Sequence, residues 1–151
     1  ATIRRQRQMC IRDSSKDFDY QFLKHGLSKS KSMIKSKLLD QSFIAGLGNI
    51  YVDESLWLAK IHPEKKSDTI SGIKIRRLSD AIPMILKKAI EHNGTTIINF
   101  SFGNDSIGSY KEKLNVFGKT GEVCIRCKKS KIVKIFVSQR GTHFCPRCQK
   151  K

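Results

Sequence analysis

The sequence predicts a mainly helical domain followed by a small zinc-binding β-hairpin. Three observations support this fold class. Apolar residues recur at helical spacing in several segments between residues 17 and 92. Residues 95–122 are rich in glycine, serine and asparagine, which is typical of irregular structure. Two cysteine pairs flank a β-rich run between residues 124 and 148.

The helical spacing predicts four helices, over residues 17–26, 29–40, 49–61 and 70–92. In the first of them, Asp17 is a candidate N-cap and Gly26 a candidate end. The third helix follows a glycine-rich passage and should end at His62-Pro63, because the residue before a proline avoids helical geometry. Pro83 is expected to kink the fourth helix or to divide it into two.

The charge of the chain indicates a polyanionic partner. Thirty lysines and arginines against thirteen acidic residues give a net charge of +17. Self-repulsion opposes folding, so a nucleic acid is a better explanation than a chance excess of lysine. Neither a membrane-length apolar run nor a signal peptide is visible. We therefore expect a cytoplasmic, nucleoid-associated monomer.

Four of the five cysteines have the spacing of a metal site. Cys124 and Cys127 form one pair, and Cys145 and Cys148 form another after seventeen intervening residues. This spacing predicts one zinc ion held by four thiolates, a closed shell that makes the metal structural. Two disulfides, a redox pair or an iron–sulfur cluster are the alternatives. The odd cysteine count, which leaves Cys10 over, argues against a secreted disulfide framework.

The run IVKIFVS between the cysteine pairs supplies the predicted hairpin, with Gln139, Arg140 and Gly141 at its tip. An arginine held rigidly at such a tip is well suited to bind a phosphate. The alternative is a solvated turn arginine.

Three motifs also carry a family resemblance. The segment DQSFIAGLGNIYVDESLWLAKIHP (residues 40–63), the linker LNVFGKTGEVC (residues 114–124) and the ending HFCPRCQK (residues 143–150) resemble the formamidopyrimidine-DNA glycosylase and endonuclease VIII family. The resemblance covers residues 17–151 and is strongest to the bacterial formamidopyrimidine-DNA glycosylases. It implies a helix–two-turn–helix domain followed by the zinc ribbon.

The resemblance also implies a function. Members of the family that this chain resembles are bifunctional DNA glycosylases and AP lyases of base excision repair, which remove oxidised purines from damaged double-stranded DNA. The residues it implies in DNA binding are Lys35, Asn49, Tyr51 and Arg140, and it gives Arg140 a further, catalytic part in the later elimination. From the residues alone, Tyr51 could equally be a packing residue and Glu54 a carboxylate favoured by the helix dipole.

One departure limits what this chain should do. The family's nucleophile is an N-terminal proline, followed by a glutamate, in a separate β-sandwich domain, whereas this chain begins with Ala1-Thr2-Ile3. We therefore expect the C-terminal half of such an enzyme, inactive alone in base excision. The alternatives are a stand-alone zinc-ribbon DNA-binding module without enzyme activity and, less favoured, an RNA-binding ribbon protein.

The expected organisation has four parts. They are a disordered or foreign arm (1–16), the helix–two-turn–helix domain (17–94), a lesion-capping-type loop and linker (95–122), and the zinc ribbon (123–151).

Overall fold

The computed structural model of the protein describes residues 20–91 and 114–151. The described elements are α1 (Tyr20–Ser28), α2 (Ile34–Leu39), α3 (Asn49–Ala59), a 3-10 helix (Ser67–Thr69), α4 (Gly72–Glu91), β1 (Val133–Val137) and β2 (Arg140–Phe144). The predicted fold class, mainly helical with one small antiparallel hairpin, is confirmed. None of the described helices combines the length and the apolar character that crossing a membrane requires.

Helix α3 lies at the centre of the molecule. It packs against α2, α4 and β2, and it is buried almost along its whole length. Apolar side chains from α1, α2 and α4 complete one core around it. Its Trp57 belongs to a second, smaller core shared with the zinc ribbon. Because α3 is buried on all sides, its polar residues Asp53 and Glu54 are buried too, at 1% and 2% exposure.

Helix α1 continues through Gly26, which is therefore not its end as predicted. A Cβ atom at Gly26 would lie 2.1 Å from Cε1 of Phe43. The glycine is there because the loop between α2 and α3 approaches the helix closely, with Phe43 stacked on Phe22 at 5.3 Å between ring centroids. The proposed N-cap, Asp17, lies outside the described residues.

The other helices differ from the prediction mainly at their ends. Helix α2 is six residues long and begins at Ile34, later than predicted. Helix α3 begins at Asn49 as predicted and ends at Ala59, where Lys60 adopts a left-handed conformation with φ 61°. Helix α4 continues through Pro83, so the proline does not divide it. The predicted arm (1–16) and residues 95–113 of the predicted loop and linker lie outside the described residues.

The hairpin of the ribbon has a two-residue turn. Val137 pairs with Arg140 across it, and the turn residues Ser138 and Gln139 both have positive φ, 51° and 65°. This backbone matches the right-handed twist of the strands. Arg140 is thus the first residue of β2, directly after the turn. Residues 114–119 form a series of turns and contain no strand.

Candidate nucleic-acid interface and metal centre

The four clustered cysteines have the geometry of one tetrahedral zinc site. Their sulfur atoms all lie within 4.8 Å of one another, with Cys124 Sγ 3.9 Å from Cys148 Sγ and Cys127 Sγ 3.7 Å from Cys145 Sγ. A zinc ion with bonds of about 2.3 Å places its sulfur ligands about 3.8 Å apart, whereas a disulfide requires about 2.05 Å. The residues therefore fit a single structural zinc ion.

The backbone and one arginine surround these sulfurs with donors. Hydrogen bonding by the Lys129 backbone N–H lowers the pKa of Cys127 to about 6, while burial raises the pKa of Cys145 to about 12. Because zinc binds thiolates, protons compete with the metal for these cysteines. Arg126 Nε donates to Cys148 Sγ at 3.4 Å, and its guanidinium lies 3.9 Å from the ring of Trp57. This positive charge offsets part of the −2 charge of a zinc ion with four thiolates.

Lys35 is buried beneath the hairpin, with an exposed fraction of 0%. Its Nζ donates to Asp53 Oδ1 at 2.7 Å, to Thr142 Oγ1 at 2.7 Å and to the Gly141 carbonyl at 3.0 Å. Burial lowers the pKa of Lys35, and the charge of Asp53 acts in the opposite direction. Since an ammonium has three donors, none is left for a phosphate in this arrangement.

Asp53 connects this lysine to the second strand. Its Oδ2 accepts a hydrogen bond from the backbone N–H of His143 at 3.0 Å and lies 3.4 Å from His143 Nδ1. The ring of His143 in turn makes an edge contact with Phe117, at 4.7 Å between centroids. Strand β2 is therefore fastened to α2 and α3 through one buried carboxylate.

Asn49 and Arg140 both adjoin Gly141, the first by a hydrogen bond and the second as its neighbour in the chain. Asn49, the first residue of α3, donates from Nδ2 to the Gly141 carbonyl at 3.2 Å. Gly48, which precedes it, offers no side-chain cap to the first turn of α3, and an uncapped helix N-terminus is suited to bind an anion. Arg140 is exposed and forms no ion pair with any residue in the described part of the chain.

Both modules match known families. Residues 11–101 match the formamidopyrimidine-DNA glycosylase H2TH domain, and residues 121–151 match the zinc finger found in FPG and IleRS. The chain belongs to the formamidopyrimidine-DNA glycosylase family. The formamidopyrimidine-DNA glycosylase of Lactococcus lactis subsp. lactis is 52% identical over 134 residues, which cover 89% of this chain and 48% of the relative. The Streptococcus mutans protein is 48% identical, covering 91% of this chain and 50% of its own length.

Solved structures of the family have the same fold as the described part of this chain. The L. lactis enzyme in complex with DNA containing FAPY-dG gives a TM-score of 0.77 at 50% identity, over 89% of this chain and 48% of that one. Its complex with DNA containing an abasic site gives 0.78 at 49% identity, over 89% and 49%. The chain thus spans about half the length of the curated formamidopyrimidine-DNA glycosylases that it matches.

Within this family fold, Tyr51 lies in the helical core at 4% exposure. Its side chain is therefore placed for packing. Glu54 does not act at the helix start. Its carboxylate accepts hydrogen bonds from the backbone N–H groups of Asn115, Val116 and Phe117 at 2.8, 2.8 and 3.0 Å. Burial raises the pKa of Glu54, and these N–H partners act in the opposite direction. Glu54 thus anchors the linker that leads into the zinc finger.

Sequence reasoning missed Asp53 and the anchoring role of Glu54, although a signal was present. Both carboxylates lie in the middle of a helix whose neighbouring residues are almost all apolar. An acidic residue in such a helix has to be buried, and a buried carboxylate needs partners. Thr142 and His143 gave no comparable signal, because a threonine and a histidine are ordinary residues in a strand.

Proposed function

We propose that this chain is the DNA-binding half of a DNA glycosylase and AP lyase of base excision repair, acting as a monomer on oxidised purines in the nucleoid DNA of the cytoplasm. The observation that carries the proposal is the convergence at Gly141. There the N-terminus of α3, with Asn49, meets the hairpin that bears the exposed Arg140. Two anion-binding features thus adjoin each other in a chain of net charge +17.

The chemistry of the two groups suits consecutive phosphates of one strand. The first turn of α3 offers backbone N–H groups and the positive end of a helix dipole. Arg140 offers a planar guanidinium that can bind a phosphate through two parallel hydrogen bonds. A grip on the backbone beside a lesion helps to bend the duplex and turn the damaged base out. The related L. lactis enzyme has been solved with DNA containing FAPY-dG and with DNA containing an abasic site, and these complexes support the proposal.

Zinc, when bound by the four cysteines, supplies structural stability and no reactive position, because its shell is closed. The chemistry that we propose for this chain rests on Arg140 alone, which would assist the elimination step by binding a phosphate of the cleaved strand.

Replacing Asn49 or Arg140 with alanine should weaken binding to a duplex containing an abasic-site analogue. The expected loss is about 1–3 kcal/mol for each, the usual contribution of a hydrogen bond to a charged group. Arg140→Ala should also reduce the salt dependence, by about 0.9 in the slope of log K against log salt for each lost phosphate contact. Fluorescence anisotropy at several salt concentrations measures both quantities.

Arg77→Ala is a matched control, since it removes the same charge from an exposed position on α4. It should lower affinity less than Arg140→Ala. If Asn49→Ala and Arg140→Ala both bind as tightly as the parent protein, the interface has been placed on the wrong surface.

The 151-residue chain should not form a covalent complex with 8-oxoguanine DNA under borohydride. The family resemblance places the nucleophile, an N-terminal proline amine, in a separate domain. A nucleophilic amine must be unprotonated and held at the sugar carbon, and that positioning lowers the barrier by several kcal/mol, on the order of 7–11 in well-oriented cases. Lys35, which is buried among the described residues, has its Nζ bonded to Gly141 and Thr142 of the hairpin. A fusion to a family N-terminal domain beginning Pro-Glu should be trapped, whereas efficient trapping of the chain alone would place the active site within these residues.

A further inference from the structure

We propose that Lys35 and Asp53 are positioning residues for Arg140. They hold the backbone of the hairpin so that the guanidinium is presented to DNA from one fixed place. The inference rests on the proposed function, in which Arg140 binds a phosphate. It gives Lys35 a different part from the phosphate contact that the family resemblance implied.

A continuous chain of hydrogen bonds leads from Asp53 to Arg140. Asp53 Oδ1 accepts from Lys35 Nζ at 2.7 Å, and the same Nζ donates to Thr142 Oγ1 at 2.7 Å. The Thr142 hydroxyl then donates to the carbonyl oxygen of Arg140 at 3.0 Å. The third donor of Lys35 Nζ reaches the carbonyl of Gly141, the residue after Arg140, at 3.0 Å. The backbone on the C-terminal side of Arg140 is thus held at two successive carbonyls.

Helix α2 also contacts the hairpin on the other side of Arg140. The hydroxyl of Ser36 forms a hydrogen bond of 2.5 Å with the hydroxyl of Ser138 in the turn. Ser36 directly follows Lys35 in the chain, so neighbouring residues of one short helix contact the hairpin before and after the arginine. Arg140 itself projects from between these two attachments and is exposed.

The burial of this ion pair is better explained by geometry than by stability. Desolvation of two charges offsets most of their attraction, and an apolar pair of similar volume is often equally stable. An ammonium with three fixed acceptors, in contrast, specifies one register of the hairpin. A slip by one residue would replace the Thr142 hydroxyl with Gly141 or His143 and would leave Nζ short of an acceptor. Fixing the backbone before binding also lowers the entropy that the hairpin has to lose when Arg140 binds a phosphate.

The test uses Thr142, because valine has the same shape as threonine without its hydroxyl. Thr142→Val should weaken binding to an abasic-analogue duplex by about tenfold and lower the salt slope towards that of Arg140→Ala. Thr142→Ser, which keeps the hydroxyl, should bind like the parent. In the Arg140→Ala background, Thr142→Val should cause no further loss, since a positioning residue has nothing left to position.

Two results would overturn the inference while leaving the proposed function intact. One is parental affinity in Thr142→Val together with weakened Arg140→Ala. The other is a double variant whose fold-loss of DNA affinity equals the product of the two single losses. Such independent effects would mean that Thr142 supports only the fold. Should Thr142→Val fail to retain one zinc per chain, Ser36→Ala, at an exposed hydrogen bond, replaces it with the same expected non-additivity. If Arg140→Ala itself binds like the parent, the proposed interface fails and the inference fails with it.

Discussion

Removal of zinc is expected to unfold the ribbon, with the loss of the hairpin and of most DNA affinity. Structural zinc contributes on the order of 10 kcal/mol or more to modules of this size, and the apolar core of the ribbon consists of few residues, Trp57, Val116, Ile132 and the cysteines around them. The helical core around α3 is separate, so most of the helical circular dichroism should remain. Loss of the hairpin also removes Arg140 from the proposed DNA interface.

The measurement can use the protein's own fluorophore. Trp57 is the only tryptophan in the chain, it is 5% exposed, and it packs against Arg126 and in the small core that contains the zinc-binding cysteines. Its emission should change when a chelator removes the metal and should recover when zinc is returned. Cys145→Ser should behave like the chelated protein, and Cys10→Ser, which leaves both cysteine pairs of the sequence intact, like the parent. Less than half an equivalent of zinc in metal-replete protein, with the thiols oxidised in pairs, would contradict the assignment.

The second large effect is expected at the buried ion pair. Lys35→Met should lower the free energy of unfolding by about 3–5 kcal/mol, because it leaves Asp53 charged and buried without its partner. Asp53→Leu should cost a similar amount by leaving the ammonium uncompensated. The double variant should lose clearly less than the sum of the two, since it buries no unpaired charge. Urea unfolding of zinc-loaded protein measures all three.

A surface pair provides the comparison. Lys151 and Glu64 lie 3.4 Å apart with side chains 67% and 32% exposed, and exposed pairs contribute about 0–1 kcal/mol. Lys151→Met should therefore change stability little. If Lys35→Met is as mild as Lys151→Met, or if the two buried substitutions simply add, Lys35 and Asp53 are not energetically coupled as a buried ion pair.

The features that could be predicted from the sequence are local ones. The zinc site follows from two tight turns of fixed cysteine spacing, and the start of α3 follows from the glycines before Asn49. The features that could not be predicted depend on distant residues. The acceptors of Lys35 on β2 lie 106 and 107 positions away. Gly26 meets Phe43 from another element. Helical periodicity says which face is apolar, but it does not say which charged residue a later segment will cover.

The zinc ribbon is attached to the helical domain at two places. One is the linker before the ribbon, which binds α3, and the other is the C-terminal end of the ribbon, which binds the segment just after α3. Glu54 binds the three backbone N–H groups of residues 115–117 where the linker enters. Near the C-terminus, Gln149 donates to the carbonyl of Ile61 at 2.9 Å and accepts from the Cys145 N–H at 2.9 Å. A chimera made by exchanging zinc fingers between relatives therefore has to be joined before residue 114, and its recipient has to provide a carboxylate at the position of Glu54. A junction placed at the first cysteine would transfer the metal site without the linker through which Glu54 orients it.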